Sequence, residues 1–206
     1  MALSGEQVAI GLLLLYFTAS PGKKAGRARA LPPEWTDDEM FVFYNHVKGT
    51  LVPPEAALLV YTVESNLDPR ATSGIAWGLP QMTGATLKDI GWTEPAANFA
   101  KLGVADQAPW IAKLLQYQSK SIGFVPDNAL DLFVANLSPA AAARKSVTIY
   151  DGSVPAQAAA YKNNKGLDRA HKGYITRNDL TAVLTELETS ETYTRALDQL
   201  GRVKHG

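Results

Sequence analysis

A mainly α fold is what this sequence predicts, and three observations carry that prediction. Apolar residues recur at helical spacing in several stretches that open on capping signals. No stretch of respectable length alternates with period two, so strands are expected only in the Gly/Ser/Thr-rich segment around Thr72 to Trp77. Hydrophobic residues make up 46% of the 206 and charged residues 19%, which is enough to fill one core and too little charge for a disordered chain.

The elements follow in order. Val8 to Ala19 is an uncharged apolar run, followed by Pro21-Gly22 and the cations Lys23, Lys24, Arg27 and Arg29. Twelve residues at about 1.5 Å each reach ~18 Å, short of the ~30 Å hydrocarbon core, and the cations follow the run where a signal peptide carries them before it. Two readings stand for it: a short helix packed on the body or a partner, or a membrane-seeking segment. Thr36-Asp37-Asp38-Glu39 has capping-box spacing and opens a helix through Met40, Phe43 and Val47 that stops at Gly49. Pro53-Pro54-Glu55 opens a second, apolar all round from Ala56 to Val63 and therefore deeply buried. A short helix starts at Thr83 and ends near Gly91, a longer one spans Asp106 to Ser121, Asp127 caps another through Phe133, and Ser138-Pro139 starts the next. Thr176 and Asp179 cap a last helix whose stripe runs Leu180, Val183, Leu184, Leu187, Leu197 and Leu200.

Composition removes several kinds of chemistry. Twenty basic and twenty acidic side chains cancel, and no basic cluster alternates with aromatics, so nucleic acid is not an expected partner. The absence of cysteine excludes disulfides, thiolate metal sites and a Cys nucleophile. Three scattered histidines, His46, His171 and His205, offer little for zinc or a Ser-His-Asp triad, so no metal or cofactor is expected. Chemistry is left to carboxylates.

Glu64 is the carboxylate that stands out. It is the only charge between Ala56 and Ser65 and falls in the last turn of the apolar helix. Apolar surroundings and the negative end of the helix dipole both disfavour its ionised form, which tunes the carboxyl to donate a proton near neutral pH. Protonating a glycosidic leaving oxygen requires such a group. A frayed helix end with Glu64 in solvent is the bland alternative.

The residues that follow add a second signal. Glu64-Ser65-Asn66-Leu67-Asp68-Pro69-Arg70-Ala71-Thr72-Ser73, then Gly78-Leu79-Pro80-Gln81-Met82, resemble the catalytic segment of soluble lytic transglycosylases, the goose-type-lysozyme-like enzymes of bacteria and phages. That family has a Glu-Ser pair, a Pro and Ala, a Ser and a Gly-Leu-Met-Gln box in this order. The resemblance implies a lysozyme-like domain with short or no β-structure, Glu64 as general acid/base, and substrate contacts from Ser65, Ser73, Gly78, Gln81 and Met82. Val134-Ala135-Asn136-Leu137-Ser138-Pro139 is the best match to the family's Ala-Tyr-Asn-Ala-Gly box, which adds Asn136. Ala135 stands where the family has tyrosine, Ser138 replaces the glycine, Pro80 replaces the box methionine, and the segment between Ser73 and Gly78 is one residue short. Tyr61 and Phe133 are candidates for the vacant aromatic place. Trp77, between the two boxes, could stack on a sugar ring.

The resemblance implies cleavage of the bond between N-acetylmuramic acid and N-acetylglucosamine by Glu64 alone. Hydrolysis needs a second acid, for which Asp68 and Asp89 are the nearest in sequence, Asp68 reading as a turn residue and Asp89 as part of a solvated face. Near the end, Asp168 to Asp179 has the outline of an EF-hand loop, with acids first and twelfth, glycine sixth and isoleucine eighth. Ala170 and Lys172 occupy ligand positions, so a calcium-free structural turn is expected. The organisation expected is an apolar and basic segment over 1–33, a lysozyme-like body over 34–150 and a helical C-terminal extension over 151–206. Peptidoglycan strands are the expected partner, with other virion proteins or a membrane through residues 8–19, in a virion-associated enzyme that acts on the cell wall during genome entry. Two rivals remain: a hydrolytic lysozyme, and a non-catalytic virion or envelope assembly protein with a lysozyme-like body.

Overall fold

The computed structural model describes residues 34–205 and is mainly helical. The apolar run Val8 to Ala19 and its cations lie outside the described residues. Helix α1 (Asp37–Lys48) is closed by the capping box expected at Thr36 and Glu39. Helix α2 (Pro54–Ser65) starts at a proline that has no amide proton to leave unpaired, and every residue in it but Glu55 is buried. Each fully buried Leu or Val along it contributes about 1.5–3 kcal/mol over its exposed state. The chain leaves α2 through Asn66 and Leu67, both with positive φ (56° and 59°), a reversal that redirects it toward a small hairpin.

That hairpin pairs β1 (Ala76–Trp77) with β2 (Met82–Thr83), Ala76 opposite Thr83 and Trp77 opposite Met82. The Thr83 hydroxyl accepts from the Thr86 amide and so caps α3 (Gly84–Asp89). After a 3-10 turn over 96–101 comes α4 (Val104–Ile122), ended by Gly123 at φ 83°. Helices α5 (Ala129–Leu137) and α6 (Pro139–Ala143) follow, then β3 (Thr148–Asp151), α7 (Pro155–Asn163), β4 (Tyr174–Thr176), α8 (Arg177–Glu188) and α9 (Glu191–His205).

Three expectations need correction. Strands are not confined to Thr72–Trp77: β2 lies beyond it, and β3 pairs antiparallel with β4 about 25 residues away. Asn128, not Asp127, caps α5, its Oδ1 accepting from the Asp131 amide at 2.9 Å. The last helix is two, because the Ser190 hydroxyl accepts from the Tyr193 amide and restarts the turn after Thr189. Helix α7 and the 3-10 turn were not foreseen; α7 has no buried residue, so it lacks the apolar stripe that would announce it.

Two hydrophobic clusters organise the described residues. The larger runs from Trp35 on the approach to α1 to Leu200 on α9, so the segment after residue 150 shares its core with the segment before it. Surface pairs fasten α9 to the front of the chain: Lys204 to Glu55, Arg202 to Asp37 and Arg195 to Glu34. The smaller cluster holds Met82, Leu87, Ile90, Phe99 and Leu114, with Trp77, Trp92 and Trp110 packed against it. Adjacent residues of α4, Leu114 and Leu115, belong to different clusters, so this helix is the wall common to both. Among the described residues no helix is long and apolar enough to cross a membrane.

Candidate functional site

Glu64 does not point into bulk water: it is 3% exposed. Its Oε1 accepts a long hydrogen bond, 3.4 Å, from the side-chain amide of Asn136 on α5, and its Oε2 has no hydrogen-bond partner. Burial pushes the carboxyl up to about 8 from an ordinary 4.5; the Asn136 donor pulls the other way and is overruled. The group is therefore protonated at neutral pH. One turn earlier the Tyr61 hydroxyl is also buried without a partner, and burial followed by the Glu64 charge drives its ionisation far up.

Asn136 also lines a narrow cleft, together with Gln81 and Met82 of the hairpin, Pro80, Thr86 of α3, and Leu114 and Gln118 of α4. The cleft thus borders the smaller cluster through Met82 and Leu114 and reaches α5 through Asn136. Its volume is about 10 Å³, enough for a single water. A larger cavity of about 430 Å³ lies between α1 and α9, beside Trp35, Leu67 and Gln199, and Glu64 is not among its walls.

The glycine-glutamine box is built by hydrogen bonds. Gly78 has φ +75°, and a Cβ there would come within 2.5 Å of the Phe99 ring and 2.7 Å of Gln107 Oε1, so only glycine fits. The Gln81 amide donates to the carbonyls of Ala71 (3.1 Å) and Gly78 (2.8 Å), which folds the box on itself. Gln107 of α4, fully buried, accepts from the Leu79 amide (2.9 Å) and donates to the Pro69 carbonyl (2.6 Å). It ties the loop after α2 to the box.

Of the residues singled out from the sequence, Glu64, Gln81, Met82 and Asn136 converge on the cleft or touch a residue that lines it. Ser65 does not: its hydroxyl donates back to the Tyr61 carbonyl within α2. Trp77 packs on the smaller cluster, Gly78 shapes the turn behind the cleft, and the Ser73 hydroxyl is buried without a partner away from it. Ala135, Tyr61 and Phe133 are wholly buried in the larger cluster, and among the described residues no aromatic ring lines the cleft. No acid among the described residues lines it either: Asp68 accepts from the Arg70 amide in a turn, and exposed Asp89 accepts from the Tyr117 hydroxyl.

Two residues were missed, Gln107 and Gln118. Gln118 donates to Asn136 Oδ1 at 2.5 Å, which completes a buried chain from Gln118 through Asn136 to Glu64. Either glutamine reads in the sequence as an ordinary helix residue; the one available signal was that both fall on the apolar side of α4, in step with Ile111, Leu114 and Leu115.

Among the described residues no group of three or more His, Asp or Glu is arranged to hold a metal ion. At the loop of EF-hand outline, the Lys172 ammonium donates to both oxygens of Asp179 (2.9 and 2.8 Å), while Asp168 accepts from the amides of Lys172 and Gly173. Compared with protein-family models, curated proteins and solved structures, the chain matches none of them.

Proposed function

We propose that this chain is a peptidoglycan-cleaving enzyme of the lytic-transglycosylase kind, with a lysozyme-like body and Glu64 as its general acid and then base. One observation carries the reading: a lone carboxyl, buried and protonated at neutral pH, is hydrogen-bonded to a residue that lines a cleft opposite the glutamine box. In the first step the Glu64 proton passes to the glycosidic oxygen and the bond from that oxygen to the muramoyl anomeric carbon breaks. The carboxylate so formed then takes the proton of the muramoyl 6-hydroxyl as its oxygen bonds to the same carbon. The product carries a 1,6-anhydro end, and Glu64 is protonated again.

Among the described residues no second acid lines the cleft, which favours this route over hydrolysis by two carboxylates. Product analysis distinguishes them, since hydrolysis leaves a reducing end. The apolar run and the cations after it fit an enzyme carried in a phage particle, acting on glycan strands during genome entry and held to virion proteins or a membrane through residues 8–19.

A second reading draws on a specific observation. The cleft as it stands takes one water and not a sugar, and among the described residues no ring borders it where the family resemblance calls for tyrosine; both suit a non-catalytic assembly protein built on the same body. Glu64→Gln decides between them. Loss of peptidoglycan clearing by a folded variant supports the enzyme; no clearing by the parent under any buffer condition, with the variant indistinguishable from it, supports the assembly protein.

A further inference from the structure

The chain from Gln118 to Glu64 has a direction. The Gln118 amide nitrogen donates to Asn136 Oδ1, so the other end of the Asn136 amide, its NH2 group, faces Glu64 Oε1. Gln118 is 4% exposed and Asn136 4%, and the cleft they line has room for a single water, so neither amide has bulk solvent as an alternative partner. A carboxyl oxygen that faces an N–H donor cannot also carry its own proton toward it. We infer that Gln118 is a positioning residue: by fixing the Asn136 amide it assigns the Glu64 proton to Oε2 and keeps Oε1 as the acceptor. This inference deepens the acid-catalysis reading and rests on it for its functional meaning, although the proton's placement is measurable without any activity.

The chemistry of removing Gln118 follows from the asymmetry of an amide. An N–H donor on Oε1 favours the carboxylate; a carbonyl in its place favours the neutral acid. Without Gln118 the Asn136 amide is free to turn, accept the carboxyl proton and hold Glu64 neutral more firmly, which makes it a poorer donor to a glycosidic oxygen. Other charges do not blur this effect. Burial and Asn136 are what perturb Glu64, Tyr61 is the titratable group that feels it, and the side chains that α3, α4, α5 and the hairpin present at the cleft are uncharged.

The test uses the full chain with Gln118→Leu, and Gln118→Met as an unbranched alternative should the first fail to fold; both lack the donor. Carbon-13 NMR of the Glu64 carboxyl follows its titration, and the alkaline limb of peptidoglycan clearing follows its use. The expected result is a midpoint raised by about half to one pH unit, a threefold to tenfold change in the acid constant, with the alkaline limb moving in step. A folded variant whose Glu64 titrates at the parent's midpoint overturns the inference. A shifted midpoint in a protein that clears nothing, parent included, supports the positioning role and sinks the cleavage reading instead.

Discussion

Glu64 links stability to pH in the sense opposite to most carboxylates. Its pKa is raised by burial from 4.5 to about 8, so between those values the folded chain binds a proton that the unfolded chain has released. The contribution is fully present below about pH 4.5 and is lost as pH rises through about 8, at up to ~1.4 kcal/mol per pH unit. Glu64→Gln removes the titration. Urea unfolding at pH 5 and pH 8 should therefore show parent stability falling by several kcal/mol and the variant's curve nearly flat; an equal pH dependence in both would refute the burial of this acid. Asp168 and Asp179, held below their ordinary value of 3.8, act only in more acid solution and leave this window clear. A different residue-scale constraint governs Gly78: with φ +75° and a Cβ position 2.5 Å from Phe99, Gly78→Ala should cost about 2–4 kcal/mol in the same assay and disorganise the box. Glu64 was legible because a lone charge in an apolar helix is conspicuous. Gln118 was not, because an amide on a helix stripe looks the same whether it meets solvent or a buried partner.

At the scale of elements, the α7–α8 connection shows what replaces a metal. In a calcium loop the carboxylates at the first and twelfth positions converge on the cation. Here Lys172, at the fifth position, reaches Asp179, at the twelfth, and Asp168 is satisfied by two backbone amides and the Tyr161 hydroxyl. The hydrogen bond and charge of Asp179 raise the Lys172 pKa, and the ammonium lowers that of Asp179 in return, burial opposing both. Millimolar calcium should leave the melting temperature of the parent unchanged. The double variant Ala170→Asp with Lys172→Asp restores two oxygen ligands and removes the internal cation, so its melting temperature should fall without calcium and recover with it. A calcium response in the parent, or none in the double variant, would show that the lysine does not stand in for the ion. The outline of this loop was visible in the sequence; the β3–β4 ladder that clamps it was not, since strands of four and three residues are defined by a partner about 25 positions away rather than by their own pattern. The break between α8 and α9 carried a local signal, Ser190, which an unbroken leucine stripe obscured.

The whole molecule decides whether substrate can reach the acid. A cleft of about 10 Å³ cannot hold a sugar ring, so a saccharide enters only if the hairpin and α3 draw away from α5. The distribution of apolar contacts says which side yields. The larger cluster runs through α1, α2, α5, α8 and α9, whereas the smaller rests on five buried residues and a hairpin with two residues per strand. Regions with few buried apolar contacts open at lower free energy than the global fold. Because α4 faces both clusters, Leu115 can stay seated in the larger one while the contacts of Leu114 loosen. Amide hydrogen exchange reads this directly. The amides of residues 76–89 should exchange well ahead of those in α2 and α5, and peptidoglycan glycan fragments added to the Glu64→Gln variant, which under the proposed mechanism does not consume them, should slow exchange in that segment selectively. If residues 76–89 are as protected as α2, the cleft does not open on an accessible timescale. If they open but glycan leaves their exchange unchanged, the opening serves some other ligand, and the acid behind Asn136 is not reached by saccharide.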